Sequence, residues 1–171
     1  MINVYTANTP NGIKIPIALE EMAVPYRIIR VNLNQNEQYD PSFLALNPNA
    51  RIPVIVDTEA DSGALSVFES GAILLYLAER FERLIPKNPH NRVRMLEYLF
   101  LQVAGVGPTF GQANYFLRTA PEKIPFAIER YQKEARRLIT ILDQRLGACP
   151  RTANSPAFLR IARCSRSHAQ I

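Results

Sequence analysis

The fold is decided by residues 49–57, Asn-Ala-Arg-Ile-Pro-Val-Ile-Val-Asp, and by residues 67–81, Val-Phe-Glu-Ser-Gly-Ala-Ile-Leu-Leu-Tyr-Leu-Ala-Glu-Arg-Phe. The β-branched run at 54–56 predicts a short strand, and residues 65–68 predict its hairpin partner after turn-forming residues at 61–63. The helix that follows has apolar residues at helical spacing, namely Leu74, Leu77, Ala78 and Phe81. Because most of its remaining circumference is also apolar, we predict that this helix is buried.

Polar residues stand at two points of this apolar segment. Glu69 and Ser70 lie where the helix begins, so Ser70 is predicted to cap it beside backbone N–H groups that favour an anion. Pro53 opens the first strand and removes a ladder donor, which leaves the Ile52 backbone available to a ligand. The alternative is an ordinary cap and an ordinary strand start, and these residues alone leave both interpretations open.

The same segments resemble the glutathione-site signature of the glutathione transferase family. The resemblance rests on Arg-Ile-Pro-Val at 51–54 and Phe-Glu-Ser-Gly-Ala-Ile-Leu-Leu-Tyr-Leu-Ala-Glu at 68–79. In that family the proline is cis, the residue before it pairs with the cysteinyl part of glutathione, and the Glu-Ser pair holds the γ-glutamyl end. The resemblance therefore implies that Ile52, Pro53, Glu69 and Ser70 bind glutathione.

The composition is that of a folded protein. With 171 residues and 47% hydrophobic content, the chain has room for one large domain or two small ones. The sequence shows neither an apolar window of about 18 residues nor a basic flank before an N-terminal apolar segment, so we expect no membrane span and no signal peptide. Cys149 and Cys164 form no metal-ligand or CxxC spacing. We therefore expect a cytoplasmic protein without a metal site.

The net charge of +5 raises the possibility of nucleic-acid binding. Residues 151–171, however, contain four arginines and no acidic residue. Removing these four from the 20 basic residues leaves 16 against 15 acidic ones, so the rest of the chain is close to neutral. The tail also lacks the interleaved aromatic and basic residues of single-strand binders. We expect no nucleic-acid partner.

The first half of the chain predicts a βαβ unit that leads into the hairpin. Residues 2–6 alternate as a half-buried strand, and residues 25–33 predict a second strand. Between them, residues 13–23 predict a helix capped by Asn11, whose start is delayed or kinked by Pro16. Its predicted inward residues are Ile13, Ile17, Ala18 and Met22. With one helical turn at 41–44, the order of elements matches a thioredoxin-like fold.

The second half predicts helices alone. A Pro-containing linker at 84–91 precedes one long, kinked helix over 92–117, and residues 122–147 predict a strongly amphipathic helix. The apolar stripe of that last helix comprises Ile128, Tyr131, Ala135, Leu138, Leu142 and Leu146. The predicted fold class is therefore α+β with two domains. Residues 1–83 form a thioredoxin-like βαβ-α-ββα domain, and residues 89–171 form an all-α domain that is incomplete relative to the family.

The chemistry is predicted at the start of the first helix. A thioredoxin-like protein with its own redox thiol places cysteine there, where the helix dipole lowers the thiol pKa, but this chain has Thr-Pro-Asn-Gly at 9–12. The sulfur of glutathione is then the plausible nucleophile. Hydrogen bonds from the Thr9 hydroxyl and the Asn11 amide would favour its thiolate. The alternative is that Asn11 serves only as the helix cap.

Three motifs resemble one branch of the family, the bacterial Nu-class glutathione-dependent disulfide-bond reductases. They are Thr-Pro-Asn-Gly at 9–12, Gly-Pro-Thr-Phe-Gly-Gln-Ala-Asn-Tyr-Phe at 107–116 and Ile-Pro-Phe-Ala-Ile-Glu-Arg-Tyr at 124–131. The resemblance implies that Thr9 and Asn11 address the sulfur, that Gln38 and Arg51 contact the glycyl end of glutathione, and that Arg130 helps to bind it. Tyr5 is expected in the core or the cleft wall, because the tyrosine catalyst belongs to other classes.

The function implied is that of a glutathione-dependent disulfide-bond oxidoreductase that acts on a small-molecule or disulfide substrate. One alternative is a glutathione-binding or regulatory protein without turnover, since the branch is also similar to the yeast prion-forming nitrogen regulator. Another is a truncated, inactive product. The resemblance also implies a homodimer, with Phe68 and the face around Tyr98 at the two-fold interface.

The tail carries no motif of the family. From about residue 148 onward arginine is the only charged residue, and the helices expected in the family do not follow. We expect these residues not to belong to the evolved fold. The alternative is that they pack as a short helix through Phe158, Leu159, Ile161 and Ala162.

Overall fold

A computed structural model describes residues 1–147 of the chain, which form two compact units. The first unit extends to Ile85 and is built around a β-sheet, whereas the second begins at Pro86 and is helical.

The first unit opens with a βαβ motif. It comprises β1 (Ile2–Thr6), α1 (Lys14–Met22) and β2 (Tyr26–Arg30). β1 and β2 are parallel, with Ile2 opposite Tyr26 and Thr6 opposite Arg30. This arrangement confirms the predicted strand–helix–strand unit.

The second part of this unit completes the sheet. Single 3₁₀ turns at Leu33–Gln35 and Glu37–Tyr39 lead to the short helix α2 (Pro41–Leu44), and β3 (Val54–Asp57), β4 (Leu65–Phe68) and α3 (Ser70–Arg80) follow. β3 is antiparallel to both β1 and β4, which gives the strand order β2-β1-β3-β4. The predicted thioredoxin-like βαβ-α-ββα arrangement is confirmed, and β4 begins and ends at the predicted residues.

The buried face of α1 differs in part from prediction. Its buried residues are Ile15, Ala18, Leu19 and Met22, whereas the predicted inward residues Ile13 and Ile17 are only half-buried. The prediction was right for Ala18 and Met22 and wrong for Ile13 and Ile17, because the side of the helix that packs against β1 and α3 also includes Ile15 and Leu19. The delayed start of the helix, at Lys14, agrees with prediction. Pro16 lies in the first helical turn, where a missing N–H costs little.

The core lies on one face of the sheet. Along β1, Ile2 and Val4 point into a cluster with α1 and α3 residues, in which Leu19, Ile73 and Leu77 are fully buried. The opposite face of the sheet carries a smaller cluster around Val31, Phe43 and Val54. Tyr5 packs into this second cluster with its ring edge-on to Phe43, at a centroid distance of 6.4 Å. Tyr5 is thus a packing residue.

The end of β3 carries a buried carboxylate. Asp57 is 2% exposed, and its Oδ2 accepts a hydrogen bond of 2.7 Å from the Tyr76 hydroxyl and lies 3.4 Å from Arg80 Nε. Its Oδ1 accepts a hydrogen bond of 2.9 Å from the Glu59 N–H. Burial acts to raise the pKa of Asp57, but these hydrogen bonds and the Arg80 charge hold it below its ordinary value. Burial and the bond to Asp57 raise the pKa of Tyr76 to about 12.

The second unit contains a nearly unbroken helical run. α4 (Pro89–Phe100) and α5 (Gly107–Asn114) are joined by a π-helical segment at Leu101–Val106, and a second π-helical segment at Tyr115–Thr119 ends the run. The predicted long helix is confirmed, although it begins earlier than Arg92. The expected interruptions take the form of π-helical turns, which commonly bend helices.

α6 (Pro125–Gly147) confirms the predicted amphipathic helix, although it begins three residues late. Ala135 and Leu138 are its buried residues, and the Leu138 side chain lies against Gly105 of the first π-helical segment. The rings of Phe116 and Tyr131 stack at 5.5 Å. The contacts of α6 with the two π-helical segments therefore involve the middle of the predicted stripe.

The predictions for residues from about 148 onward, including the short helix through Phe158, fall outside the described residues, as do Cys149 and Cys164. Within residues 1–147, no helix combines the length and apolar character needed to span a bilayer.

Candidate functional site

The sheet topology brings three predicted site segments to one end of the sheet. Tyr5 pairs with Val54, so the end of β1 lies beside the start of β3. Val54 in turn pairs with Phe68, so the end of β4 lies there as well. Three segments therefore lie at the same end of the sheet: the loop before α1, the Ile52-Pro53 bond and the Glu69-Ser70 pair.

The loop before α1 holds the Thr9 hydroxyl in a defined orientation. Thr9 Oγ1 accepts a hydrogen bond of 3.0 Å from the Gly12 N–H, while the Thr9 N–H donates to Ala7 O at 2.8 Å. The Thr9 carbonyl accepts from the Ile13 N–H at 3.0 Å. Because a hydroxyl both donates and accepts, its hydrogen is still available to a ligand. This geometry is compatible with the predicted hydrogen bond to sulfur.

Gly12 is required in this loop by close packing. A Cβ at this position would lie 2.1 Å from Ala7 O and 2.6 Å from Thr6 Oγ1. The Thr6 hydroxyl, buried at the end of β1, donates a hydrogen bond of 2.9 Å to Gly12 O. The close contact between the end of β1 and the start of α1 thus depends on the absence of a side chain.

Asn11 does not cap α1, so that prediction was wrong. Ile13 occupies the cap position and makes no side-chain cap hydrogen bond, because the chain is still turning through Thr9 and Gly12 when it passes Asn11. The Asn11 side chain is exposed, and its Oδ1 instead accepts a hydrogen bond of 2.8 Å from Lys14 Nζ. Burial lowers the pKa of Lys14 to about 8.

The Ile52-Pro53 peptide bond is cis, as the family resemblance implied. The loop that presents it is organised by Asn47, which is 1% exposed. Asn47 Nδ2 donates to Arg51 O at 2.7 Å, and its Oδ1 accepts from the Asn49 N–H at 2.9 Å. Pairing of β3 with β1 and β4 begins at Val54, so Ile52 lies outside the strand ladder. Its backbone position is therefore consistent with the predicted contact to a ligand.

The start of α3 differs from the predicted cap. Glu69 occupies the cap position with a positive φ of 69°, and Ser70 is the first helical residue, so the prediction of Ser70 as cap was wrong. Positive φ at a non-glycine residue is strained and typical of functional sites. Asn49 Nδ2 lies 3.5 Å from Glu69 Oε1, a long contact that connects the cis-proline loop to α3. Glu69 itself is exposed, and Ser70 is half-buried beside the free N–H groups of the first turn.

The remaining predicted residues are more dispersed. Gln38 lies in the 3₁₀ turn Glu37–Tyr39, and its buried Oε1 has no hydrogen-bond partner among residues 1–147. Arg51 is exposed at the cis-proline loop, and Arg130 is exposed on α6 of the second unit. The described contacts connect the cis-proline loop with Glu69 and connect Asn11 with Lys14. Among residues 1–85, they do not place Gln38 against these groups.

The sequence patterns did not predict two residues of the site region, Lys14 and Asn47. A single lysine in the first turn of a helix is normally solvent-exposed, so nothing in the sequence pointed to Lys14. Asn47, in Asn-Pro-Asn before the cis-proline loop, is a typical turn residue whose burial could have been suspected from the loop it must support. Both act through hydrogen bonds to neighbours that become evident only in the fold.

Known proteins resemble this chain in sequence over most of its length. The family "Glutathione S-transferase, N-terminal domain" matches residues 2–79. The disulfide-bond oxidoreductase YfcG of Escherichia coli is 49% identical over 152 residues, which cover 88% of this chain and 71% of YfcG. Protein URE2 of Eremothecium gossypii is 38% identical over 145 residues, or 81% of this chain and 40% of that protein.

Solved structures extend the likeness to three dimensions. A glutathione transferase family member from Pseudomonas fluorescens, crystallised with two glutathione bound, has a TM-score of 0.82 at 40% identity, covering 85% of this chain and 66% of that one. Ure2p in complex with glutathione has a TM-score of 0.79 at 33% identity, covering 84% of this chain and 67% of that one. Since the sequence likeness to YfcG extends over most of both proteins, the chain belongs to the glutathione transferase family.

Proposed function

We propose that the protein binds glutathione or glutathione disulfide at the end of the sheet where β1 ends and β3 begins, and reduces disulfides with the bound thiol. The observation that carries the proposal is the α1 loop, where Thr9 and Asn11 stand at the place of a redox cysteine. The chain has two cysteines, both beyond residue 147, so the sequence supplies no thiol in this loop.

Binding would use the groups that lie at this end of the sheet. The Ile52 backbone beside the cis bond would pair with the cysteinyl part of glutathione, while Glu69, Ser70 and the α3 N-terminus would hold the γ-glutamyl end. We assign the glycyl end to Gln38 and Arg51, because the buried Gln38 Oε1 has no hydrogen-bond partner among residues 1–147 and would accept from the glycyl N–H of the ligand. We also propose that Arg130, which the family resemblance implicates, helps to bind glutathione.

The reaction is thiol–disulfide exchange in two steps. The thiolate of bound glutathione attacks one sulfur of the substrate disulfide, so a mixed disulfide forms and the other sulfur leaves as a thiolate. A second glutathione then attacks the glutathione sulfur of the mixed disulfide, which releases glutathione disulfide and the second substrate thiol. Two glutathione molecules thus supply the two electrons. Thr9 and Asn11 would favour the attacking thiolate by donating hydrogen bonds to it.

The test is reduction of a small disulfide, such as 2-hydroxyethyl disulfide, by glutathione with and without the purified protein. The double variant Cys149→Ser, Cys164→Ser is measured beside the native chain. We expect the native chain to accelerate the reaction and the double variant to match it within about twofold. Loss of activity in the double variant would show that a protein thiol is the nucleophile, which contradicts the proposal.

The likeness to URE2 and Ure2p supports a second candidate, a protein that keeps the glutathione site for regulation without turnover. The same assay separates the two candidates when it is combined with calorimetry. Glutathione binding without acceleration of disulfide reduction would favour the regulatory candidate, whereas acceleration would favour the enzyme.

We further propose that the protein acts as a homodimer in the cytoplasm, where reduced glutathione and free thiols persist. Apolar exposure supports the dimer, because Phe68 on the edge strand β4 is 38% exposed and Val93 and Phe100 of α4 are 56% and 63% exposed. Tyr98, on the same helix, is half-buried with the Arg145 guanidinium 5.5 Å from its ring centre. Sedimentation at micromolar concentration tests this proposal, and a monomer that binds glutathione would contradict it.

A further inference from the structure

The contact between Lys14 and Asn11 has no counterpart in the sequence motifs. Lys14 is the first residue of α1, and its ammonium donates to Asn11 Oδ1 at 2.8 Å. The lysine is half-buried, whereas Asn11 is exposed and lies in the same loop as Thr9.

This contact fixes which end of the Asn11 amide points outward. A lysine ammonium has hydrogen-bond donors and no acceptor, so the amide oxygen, not the nitrogen, must face it. The NH₂ group is therefore turned away from Lys14. Without the lysine, rotation of the amide by 180° would exchange its oxygen and nitrogen, and a carbonyl oxygen would then repel a thiolate that the NH₂ group attracts.

We propose that Lys14 is a positioning residue whose ammonium orients the Asn11 amide so that its NH₂ group donates to the sulfur of bound glutathione. The inference rests on the proposed function and adds a residue to it. The positive charge also polarises the amide, which strengthens the N–H donors that would face the thiolate. Burial of the lysine stem favours one fixed position of its head group over free movement in water.

A double-mutant cycle tests this role. The variants are Lys14→Met, Asn11→Ala and both together, with Lys14→Arg as the conservative replacement and Lys87→Met as the same change at an exposed lysine. Disulfide reduction gives kcat and KM, calorimetry gives glutathione affinity, and thermal unfolding verifies the fold of each variant.

We expect Lys14→Met to lower kcat about tenfold, the change that one pKa unit makes in a thiolate population. KM and glutathione affinity should change less than kcat, Lys14→Arg should keep most of the native turnover, and Lys87→Met should have no effect. In the Asn11→Ala background Lys14→Met should change kcat by less than about twofold, because residues that act through one another are not additive. If Lys14→Met does not fold, Lys14→Leu, which also lacks a donor to Asn11 Oδ1, takes its place with the same expected results.

Native kcat in Lys14→Met, or an equal loss with and without Asn11, would overturn this inference and leave the proposed function intact. Failure of the native chain to reduce any disulfide with glutathione would instead overturn both. The two failures are distinguished by the native measurement alone.

Discussion

The two ends of the sheet solve the problem of polar groups in opposite ways. At the end of β3, the Asp57 carboxylate is buried and bonded to Tyr76, Arg80 and the Glu59 N–H. At the start of β3, the Asn11 amide, the Glu69 carboxylate and Arg51 are exposed. The first end satisfies this carboxylate within the protein, whereas the second leaves these three polar side chains exposed.

This difference separates stability from binding. A buried carboxylate with several donors stabilises the fold only as a complete set, because each partner left alone is an unsatisfied buried group. Exposed donors beside a strained Glu69 and a cis peptide bond contribute little to the fold and are suited to a ligand. Substitutions at the first end should therefore change the free energy of unfolding, and those at the second end should change affinity or turnover.

The largest expected effect is that of Asp57→Ala. We expect a loss of about 3 kcal/mol in the free energy of unfolding, because the Tyr76 hydroxyl and Arg80 lose their partner. Asp61→Ala is the matched control, since Asp61 also lies 3.4 Å from Arg80 but is 96% exposed, and its loss should stay within about 0.5 kcal/mol. Urea unfolding gives both values. Equal losses would remove the distinction between the buried and exposed carboxylates.

Asn11→Ala should have the largest effect at the other end. We expect kcat for disulfide reduction to fall about 100-fold, the scale of losing one donor to a developing anion, while glutathione affinity changes far less. Asn11 is exposed and does not cap α1, so the unfolding free energy should stay close to that of the native chain. Steady-state kinetics and calorimetry measure the two quantities. A large loss of binding at unchanged kcat would contradict this prediction.

Ser70→Ala should act on binding. We expect glutathione affinity to weaken by about 1 to 3 kcal/mol, because a hydrogen bond to a charged group is lost. Ser62→Ala, in the exposed turn before β4, serves as the control and should leave affinity unchanged. Calorimetry that finds the same affinity in the native chain and in Ser70→Ala would remove Ser70 from the site.

The smallest expected effect is the pH dependence that comes from Asp57. Because its folded pKa lies below the unfolded value of about 3.9, ionised Asp57 stabilises the fold above that pH. This contribution should be lost as pH falls from about 5 through the folded pKa. Unfolding measured from pH 7 to pH 3 should therefore show a shallower acid loss in Asp57→Asn than in Asp61→Asn, and parallel curves would contradict the account.

The sequence predicts the strands better than the helix termini. The alternation of residues 2–6 specifies one buried face, and the β-branched run at 54–56 specifies a strand that is buried on both faces, so β1 and β3 follow directly from the pattern. β4 follows as the hairpin partner of β3. The caps of α1 and α3 were misplaced because Ile13 and Glu69 occupy cap positions without the usual side-chain bonds. Such positions are dictated by tertiary contacts and not by local preference.

The candidate site shows the same division. The family resemblance implied the cis bond at Pro53. The structure adds Lys14 and Asn47, which donate hydrogen bonds to the predicted residues Asn11 and Arg51. The sequence carries no sign of Lys14, and for Asn47 it indicates only a turn residue, because each gains its role by donating to a group three or four residues away in a loop of unusual shape. Hydrogen bonds of this kind depend on the folded path of the backbone.

The most direct test of the two-ended account is a titration of ¹⁵N-labelled protein with glutathione, followed by the amide resonances. We predict that the largest shift changes fall on Asn11, Gly12, Ile52 and Ser70, and that the amides of Asp57, Glu59 and Tyr76 stay within the experimental error. Changes centred on Asp57 and Tyr76, or saturating glutathione without any change at Ser70, would contradict the assignment of ligand binding to the open end of the sheet.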